Sequence, residues 1–222
     1  MSTPSVSVII PVYNGENFIE ETLINVLSQD GVDIELIVVS DGSTDGTKEL
    51  VEKGYSNQLR FIDLPHKGKS HALNQGIRAA SNNAIAFIDA DDLWASNKLS
   101  IQLPYLSDYD LILTKIRQFL SPGTSTTPSY NLAPMEGSTI CTMLTTKEVF
   151  HKVGYFDEDL VEGGEFLEWY SRVIDYPLTH FEVNEVLCMR RLHDANWMMS
   201  KTNTMYPLVL KKIIDRRKKL KQ

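Results

Sequence analysis

Four short apolar runs fall within the first ninety residues, each ending in a polar turn. After three of them come residues at helical spacing, and this alternation restricts the chain to a sheet with helices packed on its faces. Val6-Ser-Val-Ile-Ile10, closed by Pro11, reads as a buried strand. Phe18, Ile19, Leu23, Val26 and Leu27 follow at the spacing of an amphipathic helix, with Asn17 and Glu20 placed to cap its start. Ile34 to Val39 is a second strand, with a helix over roughly 47–53 behind the turn Asp41-Gly-Ser-Thr-Asp-Gly46. Leu59 to Leu64 is a third strand, Lys69 to Ala80 a helix, and Ala84 to Ile88 a fourth strand. The pattern predicts an α/β fold with a mostly parallel, Rossmann-like central sheet. In such sheets ligands bind outside the carboxyl ends of the strands. Three polar clusters fall at such ends: Pro11 to Gly15, Ser40 to Gly46, and Asp89 to Asp92.

The second half is less regular. Asp110 to Leu120 and Leu178 to Val186 read as strands, 138–156 as a strand and then a helix, Glu165 to Ile174 as a helix, and the tail from Thr202 as a helix with a basic end. Residues 121–137 have the composition of a loop and, with the segment after His193, are candidates to cover a site. With 222 residues, the chain is the size of one large domain, or one domain with an appendage.

Five clusters carry candidate chemistry. In Ile85-Ala-Phe-Ile-Asp89-Ala-Asp91-Asp92 a buried strand delivers three carboxylates into a turn. Hard oxygen ligands of this kind suit Mg²⁺ or Mn²⁺; a solvated turn is the plain alternative. Asp41, after the second strand, can accept hydrogen bonds from a ribose or a base edge, or simply cap the next helix. Lys67-Gly68-Lys69-Ser70 resembles the end of a phosphate-binding P-loop, but Asp63 stands where the first glycine belongs, and Pro65 removes a backbone N–H. Glu165 and Glu168 are three apart, so on a helix they share a face; either could be a general base, or both could lie in water. Arg190-Arg191-Leu192-His193 could meet a pyrophosphate or a metal, or pair with acids at the surface. Trp94 and Trp197 are candidates for core packing or for sugar stacking.

These pieces occur in a recognisable order. Ser7-Val-Ile-Ile-Pro11-Val-Tyr13-Asn-Gly, Val39-Ser-Asp41-Gly-Ser-Thr-Asp45-Gly-Thr, Lys67-Gly68 through Asn74-Gln-Gly76, and Ile88-Asp89-Ala-Asp91-Asp92-Leu-Trp94 resemble family 2 glycosyltransferases. The likeness extends more loosely through Phe156-Asp157-Glu158, Gly164-Glu165 and Arg191-Leu-His193. It implies the A-type nucleotide-sugar transferase fold and a metal-dependent, inverting transfer from a nucleotide-diphospho-sugar, a UDP-sugar first. The residue roles it implies are Pro11, Tyr13 and Asp41 at the nucleotide base, Lys67 or Lys69 near the base or phosphates, Asp89 at the ribose or a metal-bound water, and Asp91 on Mn²⁺ or Mg²⁺ with His193 as a further metal or phosphate ligand. The Asp of the family's Glu-Asp base pair is Phe166 here, which leaves Glu165 and Glu168 as base candidates, Glu165 first. It also raises a catalytically inactive nucleotide-sugar binder as the second reading; a P-loop NTPase is the third. The implied division is one transferase domain over 1–200, with a nucleotide-binding half at 1–105, an acceptor half at 106–200 and a basic tail at 201–222.

Composition limits the partners. A net charge of −7 makes the chain a poor general nucleic-acid binder. Residues 206–222 alone carry +6, leaving −13 on the rest; peripheral contact of this tail with anionic membrane is one expectation, a solvated helix end the other. No apolar run approaches a membrane span and no signal peptide is legible, so a cytoplasmic location is expected. The acceptor is left open among saccharide, lipid-linked and protein, and a homodimer is compatible with the sequence. Cys141 and Cys188 are far apart in the chain, so neither a disulfide framework nor a cysteine-based zinc site is expected to organise the fold.

Overall fold

The structure is a computed structural model. It describes residues 3–124, 132–160, 163–194 and 198–220, the side chains of 198–204 excepted. Trp197 and part of the 121–137 loop lie outside the described residues.

Eight strands form one sheet in the order β3-β2-β1-β4-β7-β6-β8-β5. They are β1 (Ser5–Val12), β2 (Asp33–Ser40), β3 (Arg60–Asp63), β4 (Ala84–Phe87), β5 (Leu93–Trp94), β6 (Leu111–Leu120), β7 (Leu144–Thr146) and β8 (His180–Leu192). β1 runs parallel to both β2 and β4, and β2 parallel to β3, which gives the doubly wound half its expected form. Beyond β4 the sheet becomes mixed: β7 is antiparallel to β4 and β6, β8 is parallel to β6, and β5 is antiparallel to β8.

The helices are α1 (Ile19–Leu27), α2 (Thr47–Tyr55), α3 (Lys69–Ala79), α4 (Lys98–Gln102), α5 (Lys147–Val153), α6 (Glu165–Asp175) and α7 (Met198–Lys219). Alternate residues of each central strand face opposite layers. Val6, Val8, Ile10 and Val12 of β1 pack with Ile19, Leu23 and Val26 of α1. Ile9 of β1, Ile37 and Val39 of β2 and Phe87 of β4 pack with Ala72, Leu73 and Ile77 of α3 and with Phe150 and Trp169. Burial on both faces is why these strands read as unbroken apolar runs. α3 approaches β1 so closely at Gly76 that an added Cβ would run into Ile9 Cγ2. The expected cap of α1 is not formed: Phe18 occupies the cap position with no side-chain bond. Glu16 instead reaches across to Gly46 N–H at 2.7 Å, tying the first two turns together.

α7 is not a detached appendage. Met205 and Val209 pack on Leu160. Lys212 pairs with Asp157 at 2.5 Å, and Arg216 and Arg217 with Asp175 at 2.6 and 3.0 Å. Among the described residues, no helix is long and apolar enough to cross a membrane.

Candidate active site

The register of β2-β1-β4 brings the ends of three strands to one edge: Val12 lies beside Ser40, and Ile9 beside Phe87. The turns beyond them are laced by their own polar groups. Asn14 N–H donates to Ser43 Oγ at 3.0 Å, Thr44 N–H to Asn14 Oδ1 at 2.8 Å, and Gly15 N–H to Thr47 Oγ1 at 2.8 Å. Gly42 has φ +72°, and a Cβ there would lie 2.7 Å from His66 N, so the chain after β3 can cross closely above it.

Asp41 is buried, and its carboxylate organises that crossing. It accepts the N–H groups of Lys67 at 2.8 Å and Gly68 at 2.9 Å, and lies 2.9 Å from His66 Nδ1. It therefore steadies the start of α3 rather than capping the helix next in sequence. Tyr13, half-exposed, stacks on the His66 ring with centroids 4.5 Å apart. Pro11 is buried in β1, and the Lys67 side chain is exposed. The P-loop alternative fails on the same geometry, because the N–H groups of Lys67 and Gly68 are turned into a carboxylate instead of a phosphate cradle.

Lys69, at the first turn of α3, joins the two halves of the chain. Its Nζ is 2.6 Å from Asp89 Oδ1 and 3.2 Å from Glu165 Oε1. Lost hydration alone would push the lysine's pKa down, but the two carboxylates outweigh this and hold it above the ordinary lysine range. Glu165 is thereby brought beside the Lys69–Asp89 pair, buried at the start of α6. Glu168 is not: its carboxylate is held by Arg172 at 2.9 Å and lies 3.8 Å from Arg216 of α7. Phe166 is buried in the core, stacked on Tyr170, so it leaves no polar group where the family's Asp would stand.

Asp91 Oδ2 lies 2.9 Å from His193 Nε2. An oxygen beside an imidazole nitrogen is a donor set that suits Mn²⁺ better than Mg²⁺, which takes oxygen ligands. Arg191, which is buried, fixes the acidic turn. Its Nε donates to Asp91 O at 2.8 Å, its backbone N–H to Asp92 Oδ1 at 2.9 Å, and its Nη2 meets Glu21 at 2.6 Å. Asp92 points inward; burial pushes its pKa well up, the nearness of Cys141, Asp91 and Asp89 adds to that, and the Arg191 N–H opposes it. Ligand atoms of Asp92, Cys141 and Cys188 lie within 4.8 Å of one another, a grouping that could hold an ion, although two sulfurs suit a softer one than Mg²⁺.

Two features escaped sequence reasoning. Glu21 gave no motif to mark it as the partner of Arg191. Asn74 is buried and pins the 156–158 segment to α3: its Nδ2 donates to Phe156 O at 2.9 Å and Glu158 Oε1 at 2.8 Å, and its Oδ1 accepts Phe156 N–H at 3.0 Å. Those bonds, with His71 at 2.9 Å, hold the Glu158 pKa low. Trp94, for which core packing and sugar stacking were both open, is a core residue whose Nε1 donates to Cys141 O at 2.9 Å.

A mixed sheet of this order, with its acids gathered beyond β4, is the A-type glycosyltransferase fold. The profile of Glycosyl transferase family 2 matches residues 7–160, and the chain belongs to that family. It is 32% identical over 211 residues to an uncharacterised glycosyltransferase of Rickettsia typhi, covering 87% of this chain and 65% of that one. It thus spans less than two thirds of the length of that relative, and 34% of a similar one from Rickettsia felis. Among solved structures, S. aureus TarS 1-349 in complex with UDP-GlcNAc superposes with a TM-score of 0.74 at 22% identity, covering 94% of this chain and 65% of that one. The mannosyltransferase PcManGT from Pyrobaculum calidifontis, in complex with GDP-Man and Mn²⁺, gives 0.68 at 23% identity, covering 90% and 60%.

Proposed function

We propose that this chain transfers a sugar from a nucleotide-diphospho-sugar, a UDP-sugar first, to an acceptor hydroxyl with inversion at the anomeric carbon. The observation that carries the proposal is the gathering of Asp89, Asp91, His193, Lys69 and Glu165 at one sheet edge. The nucleotide sugars in complex with both solved relatives support the donor class. In this reading Pro11, Tyr13 and Asp41 frame the nucleoside end, with the exposed face of Tyr13 available to a base. Lys67 and Lys69 serve the phosphates and Asp89 the ribose. Asp91 and His193 would hold Mn²⁺ or Mg²⁺, an ion that neutralises charge on a departing diphosphate when bound. Glu165 takes the proton from the acceptor hydroxyl as it attacks. Glu168, committed to Arg172 and Arg216, is the weaker base candidate.

The proposal is tested by titrating UDP and GDP into the protein with and without Mn²⁺ in a calorimeter. Binding that strengthens at least tenfold with Mn²⁺, and loses that gain in Asp91→Asn, is the expected result. Absence of nucleotide binding in both conditions would sink the proposal. The inactive-binder alternative predicts binding without turnover. Release of UDP or GDP from a panel of donor sugars, lost in Glu165→Gln, would exclude it.

A further inference from the structure

The two cysteines, 47 positions apart in the chain, come together beneath the acidic turn. Cys141 lies on the short 3₁₀ turn Ile140–Thr142 and Cys188 within β8, with their Sγ atoms 3.0 Å apart. Both are free and fully buried. Each is held from more than one side. Cys141 O accepts the Trp94 indole N–H, and Cys188 pairs with Trp94 on β5 and with Ile116 on β6. The charge of the buried Lys98 ammonium acts on both sulfurs.

We infer that Cys141 and Cys188 form a reversible disulfide site that staples β8 to the turn ahead of β7. The bond to the partner sulfur and burial push the Cys141 thiol pKa well up, so the attacking thiolate forms when the pair opens to water. With hydrogen peroxide as the oxidant, one thiolate sulfur attacks a peroxide oxygen, the O–O bond breaks, and a sulfenic acid and water form. The second sulfur then displaces the sulfenic hydroxyl as water. The two thiols thus lose two protons and two electrons to one peroxide, leaving one S–S bond and two waters. Burial makes local opening the gate to reaction, so oxidation is slow but confined to the pair. The staple bears on the site: three residues past Cys188 is Arg191, whose N–H and guanidinium hold Asp92 and the Asp91 carbonyl. A zinc site with Asp92 as third ligand fits less well. Two thiolates on a tetrahedral zinc stand about 3.8 Å apart, and the Lys98 ammonium would oppose a second cation.

The test treats the full chain with hydrogen peroxide, denatures it in alkylating reagent, and reads intact and protease-digested mass. The expected product is monomeric, two hydrogens lighter, with no alkylated cysteine and a peptide joining position 141 to 188, all reversed by dithiothreitol. Its melting temperature rises by about 5 °C, and Cys188→Ser shows neither cross-link nor rise. Retention of both thiols, at a peroxide dose that oxidises the same chain in urea, would overturn the inference. So would disulfide-linked dimers, separate sulfinic acids on the two positions, or stoichiometric zinc in the untreated protein that protects both thiols.

Discussion

Lys98 carries an ammonium with no exposed surface, 2.6 Å from Gln102 Oε1 and 4.1 Å from the centre of the Trp94 ring. Burial drives its pKa down from 10.5 to about 8, while the sulfurs of Cys188 and Cys141 pull the other way. At about 1.36 kcal/mol per tenfold change in proton affinity, the displacement corresponds to roughly 3 kcal/mol. Below pH 8 the folded and unfolded chains both hold the proton, and the folded state bears the whole cost of burying it. Between about pH 8 and 10.5 the folded lysine is neutral while the unfolded one is charged, so the unfolded state binds more protons and stability rises with pH. Above that window both are neutral and the cost is gone. Lys98→Met has no proton to lose. Wild-type stability relative to this variant should therefore climb by about 3 kcal/mol from neutral pH to about pH 10.5. Near pH 7 the variant should be the more stable by about 1–2 kcal/mol, because losing the partner of Gln102 offsets part of the gain. Urea unfolding of both proteins across that range, followed by tryptophan fluorescence, measures the difference while other titrations cancel. A difference that stays flat with pH would refute the assignment of a charged lysine to the core.

Asn74→Ala removes three hydrogen bonds and leaves the Phe156 N–H and C=O without that partner; a loss of about 2–3 kcal/mol in urea unfolding is expected. Glu165→Gln should lower kcat by about 10²–10⁴ with little change in melting temperature. Glu168→Gln should do the reverse, costing about 2 kcal/mol of stability through its buried arginine pair while turnover persists; equal effects on turnover in a donor-release assay would reject the distinction.

The doubly wound half was legible because β1, β2 and β4 are largely buried on both faces, and β1, β2 and β3 are each followed by a turn and helix. Their ends fell within two residues of those read from the apolar runs. The second half was harder for a physical reason. β5 and β7 have two and three residues, too short to show any period, and it is their antiparallel pairing that makes the sheet mixed. Strand-end position marked Asp41, Asp89 and Asp91 as candidates. It could not reveal that Lys69 meets Glu165 across 96 residues, or that Glu168 is claimed by an arginine of the tail. Such pairings depend on how layers stack, and nothing local in the chain encodes them. The cysteines illustrate the same limit: spacing excluded a motif, while packing made them neighbours.

The folding back of α7 changes how the molecule looks from a distance. Written out, the chain is a strongly negative body with a positive end, which suggests a large permanent dipole. Lys212, Arg216 and Arg217 cancel against Asp157, Asp159 and Asp175 within ion-pair range, so much of that separation collapses into short-range pairs. The far field is weaker than the residue count implies. Raising the ionic strength, which screens separated charges over about 10 Å at 0.1 M but contact pairs far less, would therefore weaken what attraction remains to a distant surface before it loosened this helix.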